Sequence, residues 1–435
     1  MDAFTIHADD PKYAAGHEVN RQATMTQSAQ AAFDRHTDAA VPELASAVAR
    51  PLTDMPRGIS LSFHGDLAEV EQEWRAFEQG ADCTAFQTFD WLSAWHRHIG
   101  AREGVRAAIV IGRDDVGILF ILPLALAPGR LRRVTWLGAF LSNSSAPLLA
   151  RDFALRVVAA QFPALWRGIE RLMRQRLSYD LIDLDKIPET VGVQANPMLA
   201  LDLTPHVNDA YAVRLNGTWD EFYASKRSPS WRKTDGKKRR RLAKQGDIHF
   251  STATARAEIE RTIDALIAQK KSSYASLNVA NMFEWPGYRD FFLDMASDPH
   301  RRHLVHVSSV SVGSTVVAAS FGLTWHGNYD YVLAGYAMGE FEAASPGTIH
   351  LQELMKLFLE RGFKTFDFNI GDEPYKREWC DTETKFYDYV APATAAGWAA
   401  ATVMRVSRAV KRFIKRNPSI WPVIRKVRSA LGARR

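Results

Sequence analysis

The sequence predicts a mixed α/β protein made of two similar halves, each a mainly antiparallel sheet flanked by helices. Three observations predict it. At 435 residues and 46% apolar content, the chain exceeds one ordinary hydrophobic core and has enough apolar material for two. Segments alternating with period two are interleaved with segments whose apolar residues recur at three and four, and the same order occurs twice. The stretch from Asn328 to Trp379 reads strand, glycine-bearing loop, helix, strand, which is a βαβ unit.

Residues 1–57 are rich in Ala, Asp, Gln and Thr without a sustained period, and disorder is expected there. They lack the basic start and apolar centre of a secretory signal. The first half, 58–208, opens with a strand at Ile59 to Phe63 and a helix from Leu67 to Gly80. Phe89, Leu92 and Trp95 follow at helical spacing as core anchors. Ala107 to Gly112, Val116 to Leu126 and Leu131 to Leu137 read as three strands joined by tight turns. No apolar run reaches the about 18 residues of a membrane span, and Pro123 breaks the longest candidate. A helix from Phe153 to Arg176 and a strand from Tyr179 to Leu184 complete this half.

The second half, 209–390, begins with a capping box, Thr218 with Glu221 three residues on. Between Lys226 and Lys244 stand ten Lys and Arg, among them Arg239, Arg240 and Arg241, with Asp235 the single acid. Such density repels itself unless a phosphate-bearing ligand neutralises it, so these three arginines are candidate substrate contacts. Helices from Ala257 to Ser276 and Glu284 to Met295 precede three strands, His303 to Val312, Thr315 to Trp325 and Tyr329 to Tyr336. Ser345 is placed as the N-cap of the next helix, with Pro346 at its first position. The free N–H groups of that helix start form an anion site, for which Ser345, Gly347 and Thr348 are the candidates. Gly362 ends the helix. Phe366, Phe368 and Ile370 then alternate with Asp367 and Asn369, turning the two polar side chains to one face.

Ser345-Pro346-Gly347 opening a helix, followed by G-F-x-x-F-D-F-x-x-G-D-E-x-Y-K over Gly362 to Lys376, resembles the second domain of CelD/BcsL-type GNAT acyltransferases. These are associated with cellulose and exopolysaccharide synthesis and are similar in architecture to the Fem peptidoglycan aminoacyl transferases. The resemblance spans about 60 to 390 and implies tandem GNAT-like domains, the first degenerate and the second catalytic. It implies acyl transfer, N-acetylation first, from acetyl-CoA or another acyl-CoA to an amine or hydroxyl of a sugar or cell-envelope precursor. No metal is implied. Such chemistry needs a base, oxyanion donors and an acid for the thiolate. Asp367 is the candidate base, with Asp330 second, and backbone N–H groups around Leu333 to Tyr336 are the donors. Tyr375 is the candidate acid, Lys376 a phosphate or oxyanion contact, and Asn369 and Trp379 substrate contacts. One departure stands out. The family's Arg/Gln-x-x-Gly-x-Gly/Ala phosphate loop is replaced by Glu342-Ala343-Ala344-Ser345-Pro346-Gly347, and Pro346 has no N–H to give. An aminoacyl-tRNA donor therefore stays open, as does a non-catalytic scaffold of a polysaccharide synthase.

The net charge of +6 is unevenly spread. From Ala391 on there are eleven Lys and Arg and no acid, leaving 44 basic against 49 acidic residues over 1–390. The tail, 391–435, reads as a basic amphipathic helix that either meets an anionic membrane surface through 398–435 or docks on the acidic body. Two cysteines, Cys83 and Cys380, suit a reducing compartment. The expected location is cytoplasmic, with a peripheral position on the inner face of the membrane.

Overall fold

The computed structural model describes residues 56, 58–277, 279–371 and 373–417. Apart from Pro56, the expected disordered segment 1–57 lies outside the described residues, as does the tail beyond Asn417 with Trp421, Ile424, Val427 and Leu431.

The first half runs β1 (Ser60–His64), α1 (Glu71–Glu78), α2 (Phe89–Trp95), β2 (Arg106–Arg113), β3 (Ile118–Ala127), β4 (Arg133–Trp136), β5 (Leu148–Leu149), α3 (Phe153–Arg156), α4 (Phe162–Arg176) and β6 (Leu181–Pro188). The short strands β7 (Thr190–Val191), β8 (Gln194–Ala195) and β9 (Thr204–Pro205) lead out of it. The second half runs β10 (Ala210–Arg214), α5 (Trp219–Lys226), α6 (Pro229–Ala243), β11 (Ile248–Thr252), α7 (Arg256–Leu277), α8 (Tyr288–Ser297), β12 (Val305–Val312), β13 (Thr315–Trp325), β14 (Asn328–Tyr336), α9 (Pro346–Glu360), β15 (Thr365–Ile370), α10 (Pro374–Trp379) and β16 (Thr382–Thr384). Then come β17 (Phe386–Pro392) and α11 (Ala395–Arg416).

The two sheets repeat one plan, a mixed α/β architecture with mainly antiparallel pairing. In the first, β2, β3 and β4 form a meander, and the crossover through α4 returns β6 parallel to β4. In the second, β12, β13 and β14 form the meander and α9 returns β15 parallel to β14. Capping chemistry read from the sequence is in place at α5, where Thr218 and Glu221 bond reciprocally. The helix expected over Phe153 to Arg176 is divided into α3 and α4, because Val157 and Val158 are extended and Pro163 restarts the chain in a new first turn.

One connection departs from the expected boundary at 390. After β16 the chain leaves the second sheet, and β17 pairs antiparallel with β6 of the first, Val390 opposite Asp183. The first sheet is thus completed by residues that follow the second half. Between the sheets α1, α2, α7 and α8 share one hydrophobic cluster with Ile109 and Ile111 of β2 and Phe321 and Leu323 of β13. Trp91, fully buried, sits edge-on to Phe291 at 4.9 Å and 6.5 Å from Phe321, so residues of both halves close one core. Outside the sheets, α4 covers β2 and β3 on one side and α9 covers β14 and β15 on the other.

Candidate functional site

The site begins where two strands part. β14 and β15 are paired through Asn328–Thr365, Tyr329–Phe366 and Asp330–Asp367, and the pairing stops there. The cause is local. Asp367 accepts a hydrogen bond from the Asn369 N–H at 2.6 Å, and Asn369 takes a left-handed φ of 62°, which turns β15 away from β14. Asn tolerates that conformation better than most residues. Strict alternation of Phe366 to Ile370 is therefore broken, and both Phe368 and Asn369 are buried. Beyond Asp330, the β14 edge from Tyr331 on has no strand beside it on the β15 side among the described residues.

Asp330 and Asp367 face each other at the parting point. Burial raises both carboxyls above the usual range, and for Asp330 the neighbouring Asp367 charge adds to it. The Asn369 N–H and the Lys376 charge oppose the rise at Asp367, making it the member that ionises first. Two acids pushed apart in this way are fitted to hold one proton between them near neutrality.

Around them lies a buried polar group. Lys376, fully buried, donates to the Asn369 and Ile370 carbonyls at 3.1 and 2.9 Å and pairs with Glu373 at 2.8 Å. These contacts tie Lys376 to the end of β15. Among the described residues, the Tyr375 hydroxyl and the Asn369 side-chain nitrogen are buried without a hydrogen-bond partner. Burial pushes the Tyr375 phenol well up, keeping it a proton donor. Lys270 of α7, which the sequence reading did not single out, is 1% exposed. Burial pulls its ammonium down to about 7, against the pull of Glu373 and with the help of the Lys376 charge. A signal for it exists: Ile259, Ile263, Leu266, Lys270 and Tyr274 share one stripe of α7, so a lysine stands in an apolar row.

The start of α9 adjoins the open end of β14. A side chain on Gly347 would come within 3.3 Å of the Tyr336 ring. The expected N-cap is not formed: Ser345 has a left-handed φ of 50° and its side chain makes no capping bond. Its N–H instead closes the 3-10 turn 339–344 onto the Glu342 carbonyl, and its own carbonyl accepts from the Thr348 N–H at 3.0 Å. The position closes one helix and opens the next, and that demand overrides side-chain capping. Beside it runs α6, held by Arg239 to Glu353 at 2.5 Å, Gln352 to Asp235 at 2.9 Å and Gln245 to the Glu340 carbonyl at 3.2 Å. Arg240 and Arg241 are exposed, and Arg239 and Arg240 line a shallow groove of about 410 Å³ with Gly236 and Ile248.

Trp379 does not reach this space. It is 1% exposed, stacks on Phe222 and Tyr223, and carries the Arg227 guanidinium over its ring at 4.4 Å. In the first half the equivalent parting of β4 and β6 is closed by protein: Lys186, also left-handed, donates to the Phe140 and Ser142 carbonyls at 3.3 and 2.7 Å. Among the described residues, no group of three or more His, Cys, Asp or Glu is placed to hold a metal.

Residues 229–377, which contain α6, the β12–β14 meander, α9 and β15, match the acetyltransferase (GNAT) domain family. No curated protein matches the sequence. Among solved structures, the chain is similar to FemX at 11% identity, over 77% of this chain and 95% of that one, with a TM-score of 0.49. It is similar to the C-terminal domain of a putative lysylphosphatidylglycerol synthetase from Agrobacterium fabrum at 11% identity, covering 79% and 97%, with a TM-score of 0.47. A tandem GNAT protein from the clavulanic acid biosynthesis pathway matches at 11% identity, covering 77% and 100%, with a TM-score of 0.43.

Proposed function

We propose that the chain is a GNAT-type acyltransferase that moves an acyl group, acetyl first, from acyl-CoA to an amine or hydroxyl of a sugar or other cell-envelope precursor. The observation that carries this reading is the parting of β14 and β15 with the Asp330–Asp367 pair at its apex and the start of α9 at its mouth. The acyl donor would enter along the β14 edge beyond Asp330, its amide groups meeting strand N–H and C=O groups that no strand among the described residues uses. Asn369, with its unpartnered buried nitrogen, suits the same polar stem. The fit at the phosphates is different from that of a glycine-rich loop, because Pro346 offers no N–H; the cations of α6 supply the missing charge.

In the reaction the acceptor nitrogen or oxygen attacks the thioester carbonyl carbon. Ionised Asp367 takes its proton, and N–H groups of the β14 edge hold the oxyanion. As the intermediate collapses the C–S bond breaks, and the Tyr375 phenol donates its proton to the leaving thiolate. The sugar or envelope acceptor rests on the likeness to CelD/BcsL-type proteins. A second reading, an aminoacyl-tRNA donor, is favoured by one observation, the exposed cations of α6 beside a helix start poor in N–H groups.

The test is calorimetric titration with acetyl-CoA and longer acyl-CoAs at low salt, with Gly347→Trp as control. Saturable binding lost in the variant is expected, since the indole would block the mouth against Tyr336. Absence of binding to any thioester, with binding of charged tRNA, would replace the first reading by the second. Stoichiometric binding without turnover would leave a scaffold.

A further inference from the structure

Several cations of the tail helix α11 bond to the body: Arg405 donates to the Val390 carbonyl at 2.6 Å, Arg408 pairs with Asp183 at 2.7 Å and Asp388 at 3.6 Å, and Arg412 donates to the Pro205 carbonyl at 2.6 Å. Lys415 reaches Asn208. Gly397 touches the body so closely that a side chain there would overlap the Asp180 carbonyl oxygen at 1.8 Å. The opposite face carries Val403, Val406, Val410 and Phe413, all more than half exposed, and exposed Trp398 lies at one margin, beside the cation face. At 3.6 residues per turn the four fall within one arc of the helix surface. They form an apolar stripe roughly 15 Å long at 1.5 Å per residue.

We propose that this stripe is a docking surface for an anionic phospholipid bilayer, on which the protein lies with α11 parallel to the membrane plane. One further observation favours lipid. The eighteen residues after Asn417 contain five Lys and Arg, no acid, and Trp421, Ile424, Val427 and Leu431, the two ingredients of an interfacial segment. Because Arg405, Arg408, Arg412 and Lys415 bond to the body, the stripe offers chiefly apolar contact, and the basic composition of the following residues favours an anionic surface. This inference is independent of the acyl-transfer reading.

The test uses the full chain with phosphatidylglycerol–phosphatidylcholine vesicles and with phosphatidylcholine alone. Co-sedimentation with the mixed vesicles is expected, weaker on phosphatidylcholine and weaker with added salt. The double variant Val406→Asp, Phe413→Asp replaces exposed side chains and should keep the melting temperature while binding at least about tenfold more weakly. Absence of vesicle binding by the native chain would overturn the proposal, as would equal binding by the double variant. A native dimer that the double variant converts to monomer would assign the stripe to a second copy instead. Tighter vesicle binding after truncation at Asn417 would assign it to cover by residues 418–435.

Discussion

At the scale of single residues, the buried acids and the buried lysine separate by what each would do when removed. Asp367→Asn keeps shape and loses the base, so turnover should fall by about 10²- to 10⁴-fold with the melting temperature within a few degrees. Retained turnover would take Asp367 out of the mechanism. Lys376→Ala should instead unfold: it strips the Asn369 and Ile370 carbonyls of a donor and leaves Glu373 buried without its ion pair, a loss of about 3–5 kcal/mol, read by denaturant titration. Two histidines set an acid limit. Burial pulls His306 and His350 down to about 3 from an ordinary 6.5. The unfolded chain takes up their protons below 6.5 while the folded chain does not, so stability is whole above that pH and falls as pH drops toward 3. At pH 5 each would cost about 2 kcal/mol. Melting curves from pH 7 to 5 should show the decline, and His350→Gln should flatten it; an unchanged slope would place its pKa near normal.

At the scale of elements, α6 and α9 act as a pair. Helix α6 lies beside the start of α9, tied there by Arg239–Glu353 and by Leu242, Ala344 and Ile349 in one apolar cluster, and it carries the exposed cations Arg240 and Arg241. Reversing Arg240 and Arg241 to Glu should weaken donor binding and reduce its salt dependence, with little change in stability, since both are on the surface. Titration at two salt concentrations reads this directly. Equal affinity would move the phosphates elsewhere. The helix itself was legible from Pro346, Gly362 and the apolar spacing between them. The left-handed turn at Ser345 was not, because serine in that position gives the same letter as serine in a cap, and only the preceding 3-10 turn decides between them.

At the scale of the whole molecule, the two halves share one hydrophobic cluster and one completed sheet. Trp91 of α2 packs on Phe291 and Phe321 of the second half, Arg301 pairs with Asp90 at 3.4 Å, and β17 completes the first sheet. Trp91→Ala should therefore cost about 3–5 kcal/mol and lower a single calorimetric transition. Two transitions, only one of them shifted, would mean that the halves melt separately.

The sequence by itself determined the mixed α/β class, the two meanders, the crossover helices and the apolar and charged faces, because each rests on spacing within one segment. It also pointed to Asp367 and Tyr375 as residues of one strand end and the turn after it. The tertiary structure alone decided that β17 returns to the first sheet and that Trp379 and Lys376 are absorbed into packing and tethering. It alone buried Lys270 near Glu373 and Lys376 and bonded Arg405, Arg408, Arg412 and Lys415 of α11 to the body. Each of these depends on which distant surface a face meets, and periodicity names a face without naming its partner.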